Sequence, residues 1–208
     1  MGTFAPLLKD VKNTDEAVSP NEQVNVIAVG KKLSEELARK GIGAEHDKTN
    51  IAAELKKKGW NWENSYAMSR ETVQTAMTEN KDVKFLIDNP QGFAAPRENN
   101  RINWTRSHTP DCFLFVGKEH KNYEQNLKVA TELHQALEAK YKGISRGVIV
   151  KGKSEGNGIY NQDLSERALL LEFGGVENNL DELNNSINAF ADVFSDYYWK
   201  AEPVNAKD

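Results

Sequence analysis

The stretch Arg167–Asn179, Arg-Ala-Leu-Leu-Leu-Glu-Phe-Gly-Gly-Val-Glu-Asn-Asn, constrains this chain more than any other. Ala168–Leu171 is a short continuous apolar run, the pattern of a strand buried on both faces. Glu172 interrupts it, Phe173 and two glycines follow, and a long amphipathic pattern begins near Leu180. That succession predicts strand, tight turn and helix, with one carboxylate at the carboxyl end of the strand. In open α/β sheets, ligands and chemistry collect at that end. Partial desolvation there raises a carboxyl pKa toward the range useful to a general base. The same spacing also suits an acidic side chain that caps a helix or pairs with Arg167 or Arg146.

Further strands are expected at Val83–Asp88, which ends in a carboxylate, at Cys112–Gly117 and at Gly147–Val150, with Ile42–His46 a candidate short one. Val26, Val29, Leu33 and Leu37 recur at helical spacing, and Gly41 sits where that helix would stop. Helices are also predicted over Thr49–Lys58, Ser65–Asn80, Tyr123–Tyr141 and Leu180–Trp199, the last with Leu183, Ile187, Phe190, Phe194 and Tyr197 inward. Strands alternating with helices predict an α/β fold: a three-layer sandwich with a mixed, mostly parallel sheet covered on both faces. Residues 1–199 read as one domain, with Thr3–Gln23 an irregular entry and Lys200–Asp208 a loose tail.

Several features point to no chemistry. His46 reads as a surface or hydrogen-bonded residue and His134 as a helix-face residue, neither as a ligand. Trp60 and Trp62 read as packing aromatics, with sugar binding as the functional alternative. The Gly-rich loop Lys151–Gly158 lacks Walker spacing. With 31 acids against 27 bases and a net charge of −4, no basic footprint argues for nucleic acid. One cysteine, Cys112, excludes an internal disulfide framework, and no Cys/His spacing suggests structural zinc. No apolar run approaches the roughly 18 residues of a membrane span, and Met1–Asp10 lacks a signal-peptide layout. As written, the chain reads as soluble and unanchored.

A resemblance then becomes specific. Pro6–Lys9, Val29–Gly30, Gly41–Gly43, Asp47–Thr49 and Ser69–Arg70 occur in order, followed by Gly143–Gly147, Tyr160–Leu164 and Ala168–Gly175. Together they resemble the catalytic domain of the stage II sporulation protein P family, over nearly the whole chain except Asn89–Asp111. The resemblance implies a peptidoglycan hydrolase of spore engulfment, a zinc-dependent N-acetylmuramoyl-L-alanine amidase. In such an enzyme two His and a Glu hold the metal, and a further Glu assists proton transfer. Glu172 matches that last Glu and is the expected catalytic residue. Arg146, Asn161, Gln162 and Asp163 match motifs near the site and are expected to shape it and contact substrate. Peptidoglycan, the stage II sporulation proteins D and M, and a membrane-anchored placement facing the cell wall are likewise implied only by the resemblance.

The metal ligands do not carry over. The family's first strand, ending in His-Thr-His ahead of Glu-Ser-Tyr, would precede the Pro-Leu-Leu-Lys text, but Met1 opens this chain and Gly2 stands at the position of that Glu. The second His belongs to Asp-Ile-His-Arg-Asp, where Asp88-Asn89-Pro90-Gln91-Gly92 stands with Pro90 at the His position. Proline cannot coordinate a metal. His108 and Cys112 fit no adjacent ligand pattern. The expectation is therefore that zinc serves the family and that this chain binds none, since scattered single ligands hold metal weakly.

Asn89–Cys112 is also compositionally foreign, with three of the six prolines, three of the seven arginines and none of the twenty lysines. Codons GAC AAT CCA CAG GGA TTC spell Asp-Asn-Pro-Gln-Gly-Phe, and removing one A yields Asp-Ile-His-Arg-Asp. A shifted reading frame is thus one origin, and a loop that drifted after catalysis was lost is the other. A sheet short of its first strand should expose an unpaired edge and apolar helix faces. The functional expectation is an amidase domain with impaired catalysis. Its alternatives are a non-catalytic binder of cell wall or partner, or a truncated, frame-shifted product.

Overall fold

In the computed structural model, the described residues are 26–89, 112–174 and 180–201. They form five helices and four strands: α1 (Val26–Arg39), α2 (Ile51–Lys58), α3 (Ser65–Glu79), β1 (Leu86–Asp88), β2 (Cys112–Gly117), α4 (Tyr123–Lys140), β3 (Ser145–Lys151), β4 (Ala168–Phe173) and α5 (Leu180–Ala201). The entry segment, the Pro90–Asp111 part of the foreign stretch and residues 202–208 lie outside them, as does the expected turn after Gly174.

The sheet runs β1-β4-β2-β3. β1 is parallel to β4 and β2 is parallel to β3, while β2 and β4 join antiparallel. This is the mixed α/β architecture anticipated from the alternation of strands and helices. Among the described residues β1 pairs with β4 alone.

Alternation along β2 and β4 divides the core. Cys112, Leu114, Val116, Leu169, Leu171 and Phe173 point to one face, where α4 and α5 pack with α1 behind them. Phe115 and Leu170 point to the other, against Tyr160 and Tyr66 of α3. On the first face Asp192 of α5 receives Lys40 at 2.7 Å, Lys140 at 2.6 Å and the Tyr141 hydroxyl at 2.8 Å, which ties α1, α4 and α5 together.

Three expectations need correction. Ile42–His46 is irregular chain. Gly41, at φ +79°, ends α1 in a left-handed cap, its N–H donating to the Ala38 carbonyl and that of Ile42 to Leu37. Ile42 is thus the apolar contact of a Schellman cap and not a strand residue. β1 is only Leu86–Asp88, because β4 begins at Ala168 opposite Leu86 and, among the described residues, Val83–Phe85 have no partner strand. α4 ends at Lys140, with the expected last residue Tyr141 an exposed cap, and its buried stripe carries Asn126, Val129, Ala130, Leu133 and Leu137. His134 is a helix-face residue whose Nδ1 lies 2.8 Å from the Ser145 hydroxyl.

Two buried amides hold the middle of the fold. Asn126 donates to the carbonyls of Gln162 and Ser165 and accepts from the Ala168 N–H. Gln162, 1% exposed, accepts from the Gly117 N–H at 2.8 Å and donates to the Phe115 carbonyl at 2.9 Å. β4 pairs with β2 from Cys112 as far as Phe115. Past that point the Gln162 side chain takes the place of a strand backbone, satisfying groups that burial would otherwise leave unpaired.

Candidate functional site

A cavity of about 1110 Å³ opens beside β1. Leu33 and Leu37 of α1 and Val73 and Met77 of α3 give it apolar walls, and Trp62 also lines it. Its polar floor is built from the sheet. Asp88 pairs in parallel register with Leu170, so its side chain shares the Leu170 face. Glu172, two residues further along β4, returns to that face, and both carboxylates line the cavity. The parallel strands β1 and β4 therefore bring two acids to their shared carboxyl end.

Burial governs both. The Glu172 carboxyl is pushed up to about 8 by desolvation, with the Lys151 charge opposing the shift. Lys151 leaves β3 with its ammonium 4.7 Å from the centre of the Phe115 ring. Asp88 is raised to about 6 by burial, partly offset by the Asn89 N–H. Glu172 is thus largely protonated at neutral pH and becomes a base as pH approaches 8. Arg167 stacks over Phe85 at 5.3 Å, and the charge acting on Glu172 is that of Lys151.

Tyr66 completes the floor. Its ring meets Tyr160 edge-on with centroids 5.2 Å apart, and its hydroxyl feels the charges of both Asp88 and Glu172. Asn161, in a left-handed conformation at φ +56°, donates to the Tyr66 carbonyl at 3.0 Å and the Ser69 hydroxyl at 3.1 Å. Arg70 bonds Asn161 at 3.1 Å and forks onto Asp163. The Ser69-Arg70 and Asn161–Asp163 texts thereby become one clamp that docks the start of α3 over the sheet.

The expected site residues are placed unevenly. Glu172, Asn161 and Gln162 line the cavity, while Arg146 and Asp163 do not. The Gln162 amide is committed to β2, and Asp163 to Arg70. Arg146 lies on β3, where the β2–β3 register shifts between Cys112 and Leu114. Sequence reasoning missed Tyr66 and Lys151 as site groups, and it saw Asp88 only as the end of a strand. The two missed side chains come from elements whose docking no local pattern reveals.

His46 also reaches the cavity wall. Its ring packs so closely on α1 that a Cβ at Gly30 would sit 2.7 Å from it. Desolvation, with Lys48 adding to it, lowers the imidazole pKa. Among the described residues no three His, Cys, Asp or Glu gather closely enough to hold a metal ion. The candidates that line the cavity, His46, Asp88 and Glu172, form no such group and so do not fit a zinc site of the implied kind.

The family model described as stage II sporulation protein P matches residues 3–195. The chain belongs to that family. It is 45% identical over 204 residues to stage II sporulation protein P of Bacillus subtilis (strain 168), a match covering 98% of this chain and 50% of the relative. The chain thus spans about half the length of the curated relative it matches. Among solved structures, N-acetylmuramoyl-L-alanine amidase AmiC2 of Nostoc punctiforme aligns at a TM-score of 0.42 and 12% identity, over 85% of this chain and 82% of that one. Among the described residues no helix is long and apolar enough to cross a membrane.

Proposed function

We propose that this chain is a peptidoglycan hydrolase domain of the sporulation type, built to cut the amide between N-acetylmuramic acid and L-alanine. One observation carries the reading: within a chain of this family, a desolvated carboxyl, Glu172, stands at the carboxyl end of β4 on the floor of a large cavity. In its ionised form Glu172 takes a proton from water, and the resulting carboxylic acid returns it to the leaving amine. The apolar walls exclude bulk solvent and strengthen the electrostatics of the floor. Zinc would supply a more strongly activated water in the family; among the described residues no three candidate ligands of the donor set gather to hold it. Partnership with the stage II sporulation proteins D and M, and an anchored placement facing the wall, belong to the same proposal.

A second reading is favoured by that donor set and by Pro90 at the expected His position: a domain that grips the wall without cutting it. Purified sacculi separate the two. Release of stem peptides by the wild-type chain, lost in Glu172→Gln, supports the hydrolase. Sedimentation with sacculi without release, with or without added zinc, supports the binder. Stem-peptide release that is unchanged in Glu172→Gln refutes the role given to that residue.

A further inference from the structure

We propose that Tyr66 is a catalytic hydrogen-bond donor of this site, directed at the carbonyl oxygen of the amide under attack. The inference rests on the hydrolase reading and adds a residue to it.

Tyr66 stands on the cavity side of the sheet, packed into the cluster formed by Phe115, Tyr160 and Leu170. That cluster shares its face with Asp88 and Glu172, because Asp88 is in register with Leu170 and Glu172 lies two residues further on. The phenol is therefore confronted by both carboxylates of the floor, and its burial, with their charges adding to it, raises its pKa. It remains a protonated donor throughout the range in which Glu172 changes state. Tyr160 is no substitute, since its hydroxyl lies over Gly156 and hydrogen-bonds the backbone at Gly158 and Asn157.

The support beneath Tyr66 is unusually complete for a residue that only fills space. Its backbone carbonyl is held by Asn161, its following turn by the Asn161–Ser69 bond, and Asn161 itself by Arg70, which in turn forks onto Asp163. A donor can stabilise developing charge only if it is fixed before the reaction.

The step balances as follows. Ionised Glu172 removes a proton from water as the water oxygen bonds to the carbonyl carbon, and the carbonyl π pair moves onto oxygen. The Tyr66 O–H donates a hydrogen bond to that oxyanion without transferring its proton. The pair then returns, the C–N bond breaks, and the Glu172 proton goes to the amine, leaving one carboxyl group and one amine.

The test uses Tyr66→Phe, which removes only the hydroxyl, with Tyr197→Phe as a control for loss of a phenol on the opposite side of the fold. Thermal unfolding of both variants should match wild type within a few degrees. Stem-peptide release from sacculi should fall about 100-fold in kcat for Tyr66→Phe with KM little changed. A second measurement needs no turnover: binding of a phosphinate analogue of N-acetylmuramoyl-L-alanine, in which a tetrahedral phosphinyl group replaces the amide. Its affinity should drop at least tenfold in Tyr66→Phe. Equal affinity of wild type and Tyr66→Phe, no affinity in the wild type, or an unchanged kcat overturns the proposal. Absence of release by wild type, with a Tyr66-dependent affinity for the analogue, instead sinks the hydrolase reading and leaves Tyr66 as the donor of the site.

Discussion

Arg70 and Asp163 are joined by two parallel hydrogen bonds, Nη1 to Oδ1 at 2.9 Å and Nη2 to Oδ2 at 2.6 Å, across 93 positions of sequence. The pair holds α3 to the turn ahead of β4, and with it the wall of the cavity that carries Tyr66.

Arg70→Lys should therefore cost about 1–2 kcal/mol, because an ammonium cannot reproduce the fork and both partners are partly solvated. The Arg70 hydrogen bonds hold the Asp163 carboxyl below its ordinary value of 3.8. Its stabilising contribution is present above that value and is lost as pH falls below it. Urea titrations at pH 7 and pH 3 check both points: the gap between wild type and Arg70→Lys should narrow in acid.

Gln162→Leu should destabilise by about 2–4 kcal/mol. It keeps the volume approximately but leaves the Gly117 N–H and Phe115 carbonyl without the partners they have now. Chemical denaturation measures the loss. Hydrogen exchange should show the Gly117 amide losing protection before those in the middle of β2.

Gly117→Ala should fail to reach the native packing. A Cβ there would collide with the carbonyl of Gly158, which is backbone and cannot swing aside. The expected cost is about 2–3 kcal/mol, in the range of overpacking in a rigid site. A thermal midpoint equal to wild type would show that the Lys151–Gly158 loop is looser than its packing on β2 indicates.

Glu172→Gln should stabilise the fold at alkaline pH. The carboxyl pKa rises from 4.5 to about 8, so the folded state favours the protonated form. Wild-type stability is full below the unfolded value and declines as pH rises from about 4.5 through about 8. Gln removes that decline, with a gain on the order of a few kcal/mol above pH 8 and little at pH 4. Thermal midpoints across pH 4–9 should diverge in that sense. If Glu172 is the base, the activity of the wild type rises through the same interval.

Periodicity alone placed the helices closely, because each has an apolar stripe that must be buried: Leu33 and Leu37 in α1, Ile187, Phe190 and Phe194 in α5. The run Ala168–Leu171 likewise marked the central strand, and Glu172 stood out as the one charge in an apolar stretch. Ile42 was misread because an apolar residue after a glycine serves a helix cap as well as a strand, and only the chain's direction after Gly41 separates the two.

What tertiary structure alone decided is which side chains share a face. The antiparallel joining of β2 to β4 and the parallel pairing of β1 with β4 depend on strand order, which no local pattern encodes. From that order follows the meeting of Asp88, Glu172, Lys151 and Tyr66, which come from four elements of the chain. Gln162 reads in sequence as a polar turn residue, and burial makes it a substitute for strand backbone. Sequence records the hydrophobic periods, since burial repeats them along the chain. It does not record long-range register, because that is set by how the strands bury their apolar faces and pair groups such as the Gly117 N–H and Phe115 carbonyl together.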